Sequence, residues 1–191
     1  MKRRLAAFAA ALLLLCGCGS GNDAMQQALD FRTNLLSAGG CTFSCDVTAD
    51  VGGAVYEFSM DCAYSDGQGS FTVTAPESIA GIGATVDDDG ATLHFDDVAL
   101  TLGEMAEGRL APLGVPWLLG SAWQSDYISA AGTENGLCRV TILKGYDDDE
   151  ITVDTYLAEG VPVRAEASVD GKRVLTVEIS DFAWDSGADG A

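Results

Sequence analysis

The strongest structural signal in this chain is the stretch Cys41-Thr-Phe-Ser-Cys-Asp-Val-Thr-Ala-Asp-Val-Gly-Gly-Ala-Val-Tyr-Glu-Phe-Ser-Met-Asp-Cys62. Apolar side chains occupy odd positions before the Gly-Gly pair and even positions after it. Alternation with a period of two is typical of a strand that has one face in the core. Two such runs joined by Gly52-Gly53 therefore predict a long antiparallel hairpin.

The cysteines of this hairpin depend on its register. A tight turn at the glycines favours one register, whereas a shift by two residues would place Cys41 directly opposite Cys62. Directly opposed residues have Cβ atoms roughly 4.5–5.5 Å apart, close to what a disulfide requires. Cys41–Cys62 is therefore the preferred predicted disulfide, Cys45–Cys62 is the alternative, and Cys138 is the remaining disulfide candidate. Zinc is the weaker alternative, since no Cys-x2-Cys pair is present.

Outward from the hairpin, the same alternation and its turn signals predict eight further strands. They cover residues 70–75, 83–87, 91–95, 98–102, 137–144, 151–158, 161–169 and 172–184. Strands that follow one another through tight turns, such as Asp170-Gly171, pair antiparallel. The sequence therefore predicts an antiparallel sheet of about ten strands.

Two segments have the period of a helix instead. Residues 24–37 carry an apolar stripe and end at Gly39-Gly40. Its members are Met25, Ala28, Leu29, Leu35 and Leu36. A second apolar helix is predicted over about 116–129, with Pro116 in its first turn. Because such helices need an apolar surface to cover, we expect a mainly β (α+β) fold, a curved half-barrel with both helices on the concave face.

The N-terminus has the marks of an exported protein. A basic start, Met1-Lys-Arg-Arg, precedes an apolar run over 5–15 and then Leu15-Cys-Gly-Cys18. The run is too short for a membrane span, which needs roughly 20 residues, and it indicates a signal peptide. The last four residues resemble the lipobox of bacterial lipoproteins, which implies cleavage before Cys18 and attachment of diacylglycerol to its thiol. The alternative is a secreted protein cleaved near the same place.

These features predict an order of segments along the chain. A signal peptide covers 1–17, a lipidated tether 18–23, one domain 24–186 and a disordered tail 187–191. Cleavage would remove three of the 10 basic residues and leave seven against 29 acidic ones, a formal charge of −22. Nucleic acid is excluded as a partner, because it is bound chiefly by lysine and arginine. The expected location is the extracytoplasmic side of the cell membrane.

Catalytic and metal-binding chemistry finds little support in the sequence. His94 is the single histidine and no Gly-x-Ser-x-Gly motif occurs, so a Ser-His-Asp hydrolase is not indicated. The acidic runs at 87–89 and 147–150 lack the alternation of an EF-hand loop and are interpreted as solvated turns. We therefore predict no enzyme, no cofactor and no metal site.

One further segment carries a family resemblance. An N-terminal helix leads into the long hairpin, and Phe71-Thr-Val-Thr-Ala-Pro-Glu-Ser-Ile-Ala-Gly81 follows it as a strand that ends at a proline. This order resembles the LolA-like superfamily of exported bacterial proteins, which includes the outer-membrane lipoprotein carrier. The resemblance implies a half-barrel that encloses an apolar cavity able to hold acyl chains. Predicted lining residues are Phe43, Phe58, Met60, Trp117 and Trp123.

The function expected from these observations is binding without catalysis. A membrane-anchored lipoprotein would bind an apolar ligand, such as a lipid or acyl chain, or a partner protein outside the cytoplasmic membrane. A lipid anchor at Cys18 weighs against shuttling between membranes, the role of the carrier itself. The alternative is a structural or regulatory protein-interaction module with a filled core and no ligand.

Overall fold

The computed structural model of the chain describes residues 20–51, 53–95, 98–102, 112–145 and 150–185. The predicted signal peptide, the lipidation site Cys18 and the predicted tail lie outside these residues. Two α-helices are described, α1 (Ser20–Ala38) and α2 (Val115–Trp123), and a short 3-10 turn, Pro112–Gly114, precedes α2.

Eleven strands of the described residues form one antiparallel sheet. They are β1 (Gly40–Val51), β2 (Ala54–Ser65), β3 (Gln68–Ala75), β4 (Gly83–Asp87), β5 (Gly90–Phe95), β6 (Val98–Leu102), β7 (Ala130–Glu134), β8 (Leu137–Lys144), β9 (Ile151–Ala158), β10 (Val161–Val169) and β11 (Lys172–Trp184). The order across the sheet is β6-β5-β4-β3-β2-β1-β11-β10-β9-β8-β7. The sheet is curved and not closed, which confirms the predicted half-barrel architecture.

The sheet consists of two meanders that meet at its centre. Strands β1 to β6 pair in sequence order, as do β7 to β11, and the two sets join through β1 and β11. Strands β6 and β7 are consequently the two edges, and the segment between them carries α2. This arrangement follows from short turns within each meander, because a short turn allows only antiparallel neighbours.

The strand β7 was missed by the sequence analysis. Its residues, Ala-Ala-Gly-Thr-Glu, have low strand propensity, and it pairs with β8 through the turn Asn135-Gly136. Both turn residues have positive φ, 52° and 83°, as a two-residue hairpin turn requires. The Asn-Gly dipeptide was the signal that could have found this strand.

The observed register of the central hairpin differs from the one that would place two cysteines face to face. Val51 pairs with Ala54, so Cys62 lies opposite Phe43 and Cys41 lies opposite Tyr64. The expectation that Cys41 directly opposes Cys62 is therefore wrong. All four cysteines within the described residues are buried free thiols.

Helix α1 covers the β7–β8 side of the concave face and reaches β1. Its buried stripe is Ala24, Ala28, Phe31 and Leu35, spaced by four, three and four residues. The predicted stripe was partly wrong, since Leu29 and Leu36 are 44% and 46% exposed. The helix ends as predicted, at a glycine with φ +81° whose N–H bonds back to the Leu35 carbonyl.

Helix α2 packs on β2 and β3 and is shorter than predicted. It ends at Trp123 instead of near residue 129. Arg32 of α1 binds the following segment, donating to the Ser125 carbonyl at 2.7 Å and forming an ion pair with Asp126 at 2.5 Å. Arg32 is more than 90 positions away from this segment. Its contacts favour a non-helical path for the residues after Trp123, which local helix propensity does not predict.

Candidate functional site

The concave face of the sheet has a floor of mostly small aliphatic side chains. Two cross-strand rows run over β1, β11, β10 and β9. One row is Ala49, Leu175, Ala167 and Val153, and the other is Val47, Val177, Ala165 and Thr155. All eight side chains are buried, and Thr155 alone is polar. We call the seven apolar residues the concave floor.

An aromatic cluster adjoins this floor under the two helices. It consists of Phe31, Phe43, Trp123, Phe182 and Trp184, with ring centroids of neighbouring members 4.9–6.2 Å apart. All six pairs have edge-to-face or tilted geometry, which the ring quadrupoles favour. The cluster joins α1, α2, β1 and β11 in one apolar contact.

Trp123 is the centre of the cluster and carries its polar contact. Its ring lies 5.7 Å from that of Phe31 and 5.6 Å from that of Phe43. Its indole Nε1 donates a hydrogen bond to Thr155 Oγ1 at 2.9 Å. Buried indole N–H groups usually find a partner, and here the partner is the single polar side chain of the two rows. The bond fixes α2 to β9 across the concave face.

Little space remains beside this cluster. A cavity of about 10 Å³ lies between Phe31, Trp123 and the β8–β9 side of the sheet. Typical ligand pockets have roughly 300–1,000 Å³, so the region around Trp123 is filled. This part of the concave face therefore has no room for a ligand.

The five predicted lining residues fall in different environments. Phe43 and Trp123 belong to the filled aromatic cluster. Phe58 lies opposite Val47 at the edge of the concave floor, and Met60 lies opposite Cys45. Trp117 is partly buried on α2, with Lys144 Nζ 5.8 Å from its ring centroid. The structure thus brings Phe43 and Trp123 into contact, places Phe58 and Met60 side by side on the same face of β2, and puts Trp117 on α2.

Sequence reasoning missed three members of the cluster and its polar anchor. Phe31, Phe182 and Trp184 come from α1 and β11, and nothing local indicates that they meet. Thr155 lies in Ile151–Ala158, where six of eight residues are buried, so the strand shows no clear alternation. The odd-numbered residues Ile151, Val153 and Leu157 of β9 are apolar. That Thr155 shares their face was the one available sign that it lies on the concave side.

The outer face of the second meander carries a cluster of charged side chains. Asp154 is 7% exposed, and Arg139 donates to both of its oxygens, from Nε at 3.0 Å and from a terminal nitrogen at 2.8 Å. Thr141 Oγ1 also donates to Asp154, at 2.5 Å. The pKa of Arg139 is raised, chiefly by the hydrogen bond to Asp154. The cluster is charge-compensated and explains how a buried carboxylate is tolerated.

An open groove of about 530 Å³ lies on the outer face of β1 to β4. Its lining includes the hydroxyl side chains of Thr42, Ser44, Ser70 and Thr72, together with Asp61 and Asp181. Ser44 Oγ donates to Asp61 at 2.8 Å. No lysine or arginine occurs between Arg32 and Arg109 in the sequence, so this half of the sheet presents acidic and hydroxyl groups without neighbouring cations from its own meander.

The described residues show neither a metal cluster nor a membrane-spanning helix. They contain no group of three or more His, Cys, Asp and Glu side chains placed to hold a metal ion. Among the described helices, none combines the length and the apolar character that a membrane span requires. The backbone of His94 pairs with Gly83 on β4.

Comparisons with solved structures find several bacterial proteins that are similar to this chain. A LolA superfamily protein from Nitrosomonas europaea is similar at 10% identity and a TM-score of 0.45, over 86% of this chain and 93% of that one. The lipoprotein LppX of Mycobacterium tuberculosis is similar at 16% identity and a TM-score of 0.41, over 84% and 93%. LprF from Mycobacterium bovis is similar at 16% identity and a TM-score of 0.42, over 91% and 97%.

No family model and no curated protein matches the sequence. The assignment of the architecture rests on the strand order and helix positions given above. An open, curved antiparallel sheet with two helices on one face is what the resemblance to LolA-like proteins implied, and that expectation is confirmed for the fold.

Proposed function

We propose that this chain is a membrane-anchored, non-enzymatic lipoprotein that binds an apolar ligand on its concave floor, outside the cytoplasmic membrane. The observation that carries the proposal is the contrast between two parts of one face. Bulky aromatic side chains fill the region under the helices, whereas the floor beyond them consists of alanine, valine and one leucine. The seven side chains are 3% exposed or less without a ligand, so a ligand binds there by displacing the protein atoms that cover the floor, and small side chains then leave it more room than aromatic ones would.

The chemistry of the floor selects the class of ligand. Its seven side chains offer no hydrogen-bonding group, and the one adjacent hydroxyl, that of Thr155, is bonded to Trp123. Burial of an unpaired polar group costs about 1–3 kcal/mol, so a ligand in contact with the floor has to be apolar there. An acyl chain meets this requirement.

Lipid content of the purified protein tests the proposal. The Cys18→Ser variant, exported and purified without detergent, is extracted with organic solvent and analysed by mass spectrometry. We expect a co-purified lipid at close to one per protein. The substitution Ala49→Trp should fill the floor and remove most of this lipid while circular dichroism shows a folded sheet.

A matched control lies one residue away. Thr48 is exposed on the outer face of the same strand, so Thr48→Trp adds the same side chain on the opposite side and should leave the lipid content unchanged. Lipid absent from the parent protein would reject the lipid ligand. Equal lipid content in the two tryptophan variants would show that lipid binds away from the floor.

The second candidate is a protein-interaction module, favoured by the outer groove on β1 to β4. Its lining of hydroxyl groups and two aspartates suits a partner segment that presents lysine or arginine. Cross-linking in intact membranes should then recover one stoichiometric partner that Ser70→Arg abolishes and Ala49→Trp retains. A partner that is lost in Ala49→Trp and retained in Ser70→Arg would instead indicate binding at the concave floor.

A further inference from the structure

Three of the buried thiols lie together on the concave side of the central hairpin. Cys41 and Cys45 flank Phe43 on β1, and Cys62 lies opposite Phe43 on β2. Cys62 therefore has a cysteine on each of its two diagonals. All three side chains are 5% exposed or less.

The two diagonals are not equivalent. The Sγ atoms of Cys45 and Cys62 lie 3.8 Å apart and form a thiol hydrogen bond. Because paired strands are twisted, the two diagonal neighbours of Cys62 lie at different distances from it. Closing this gap to the roughly 2.05 Å of an S–S bond takes a movement of less than 2 Å. Because diagonal neighbours on paired strands lie roughly 7–8 Å apart, we expect the two strands to move slightly together as the bond forms.

We propose that Cys45 and Cys62 form a structural disulfide when the chain folds outside the cytoplasm, and that Cys41 and Cys138 remain thiols. In this reaction the two thiols lose two protons and two electrons and an S–S bond forms. The electrons and protons pass to a disulfide oxidant of the compartment, such as oxidised glutathione, which becomes two thiols.

The surroundings of the pair lower the reactivity of its sulfurs in the folded chain. The hydrogen bond to Cys45 and burial raise the pKa of Cys62, and burial raises the pKa of Cys41 to about 12. Thiolates are the reacting species, so the folded core suppresses exchange at these sulfurs. The finished bond is protected from reductant by its burial.

The bond has a structural consequence for the hairpin. A slip of the β1–β2 register by two residues keeps every apolar side chain on the concave side, so alternation alone does not prevent it. A covalent link from Cys45 to Cys62 holds the observed register, in which Val51 pairs with Ala54. Cys41 opposes Tyr64 and lies on the other diagonal.

Peptide mapping of the exported protein tests the pairing. Because no lysine or arginine lies between residues 32 and 109, trypsin leaves all three cysteines in one fragment. Free thiols are first blocked with N-ethylmaleimide in denaturant without reductant. Cleavage after acidic residues, such as Asp46 and Asp61, then separates Cys45 from Cys62, and chymotryptic cleavage after Phe43 separates Cys41 from Cys45.

We expect a Cys45–Cys62 linked peptide, with Cys41 and Cys138 alkylated. A Cys41–Cys62 link, any other link, or alkylation of all four thiols would overturn the proposal. A thermal measurement checks the pairing independently. Reduction in denaturant, followed by refolding in the presence of reductant, should lower the Tm of the parent protein and of Cys41→Ala by roughly 5–10 °C. It should not change that of Cys45→Ala. Comparing oxidised and reduced forms within each variant cancels the effect of the substitution itself.

Discussion

Trp123 on α2 donates its indole N–H to the hydroxyl of Thr155 on β9, with 2.9 Å between the two heavy atoms. Both residues are buried, at 3% and 1% exposure. The bond connects the segment between the two edge strands to the middle of the second meander. It also holds the Trp123 indole in the aromatic cluster, beside a cavity of only about 10 Å³.

Replacement of Thr155 by valine should destabilise the fold. The substitution keeps the shape of the side chain but leaves the indole N–H buried without an acceptor, a cost of about 1–3 kcal/mol. Urea denaturation measures the loss, and a fall in Tm of roughly 2–4 °C per kcal/mol should accompany it. Thr152→Val on the outer face of the same strand is the control and should change stability by less than about 0.5 kcal/mol. Equal effects of both variants would show that the hydrogen bond does not anchor α2.

A second prediction concerns Gly120, which lies directly on the ring of Tyr64. A Cβ at this position would overlap three atoms of that ring. Alanine is normally better than glycine within a helix by about 1 kcal/mol, but overpacking costs about 1–3 kcal/mol, so Gly120→Ala should lower the Tm. Gly114→Ala precedes the same helix and meets open space. It should leave the Tm unchanged within about 2 °C. A Gly120→Ala protein as stable as the parent would contradict this close packing.

The ion pair between Arg139 and Asp154 should contribute to stability because one partner is buried. In Arg139→Met the carboxylate of Asp154 stays buried without its two-point partner, and we expect a loss of about 1–3 kcal/mol, discounted because the arginine is 41% exposed. The double variant Arg139→Met with Asp154→Leu should recover part of this loss. Lys172→Met is the control, because its 3.5 Å pair with Asp50 is exposed and worth close to nothing. Urea denaturation of the parent protein and these three variants measures the differences in free energy of unfolding.

Stability should fall at alkaline pH. Burial, followed by the nearby Asp185, raises the pKa of Cys41 to about 12 in the folded chain, from 9.0 for an exposed thiol. The folded state then retains a proton that the unfolded state releases, so the stabilisation is complete below pH 9 and is lost as the pH rises towards 12. The free energy of unfolding, measured in urea from pH 8 to about 11.5, should decline less steeply in Cys41→Ala.

The control for this pH series is Tyr127→Phe, which removes an exposed phenol. Its pH profile should follow that of the parent protein. Parallel profiles of the parent and Cys41→Ala would mean that other groups cause the alkaline loss.

Membrane attachment should depend on Cys18. If its thiol carries the lipid, Cys18→Ser should move the protein from the membrane fraction to the soluble extracytoplasmic fraction. Cys16→Ser changes the neighbouring cysteine and should leave the protein in the membrane. Cell fractionation with immunoblotting distinguishes the two, and retention of Cys18→Ser in the membrane would reject the lipidation site.

Most of the sheet could be predicted because its signals are local. Alternation at Cys41, Phe43, Cys45 and Val47 determines which face of β1 is buried, and Gly52-Gly53 determines that β2 returns beside it. The same reasoning located ten of the eleven strands. It missed β7, whose small residues give no alternation even though Asn135-Gly136 marks the turn.

The tertiary structure alone decided the contacts between residues far apart in the chain. The sequence determined that the cysteines of the hairpin face the core, but the 3.8 Å approach of Cys45 to Cys62 follows from register and twist. It determined that Trp123 is apolar and in a helix, but Thr155 is 32 positions away and Phe31 is farther still. Local patterns specify which face of an element is buried, whereas the packing of distant elements specifies what each buried side chain contacts and how much space remains between them.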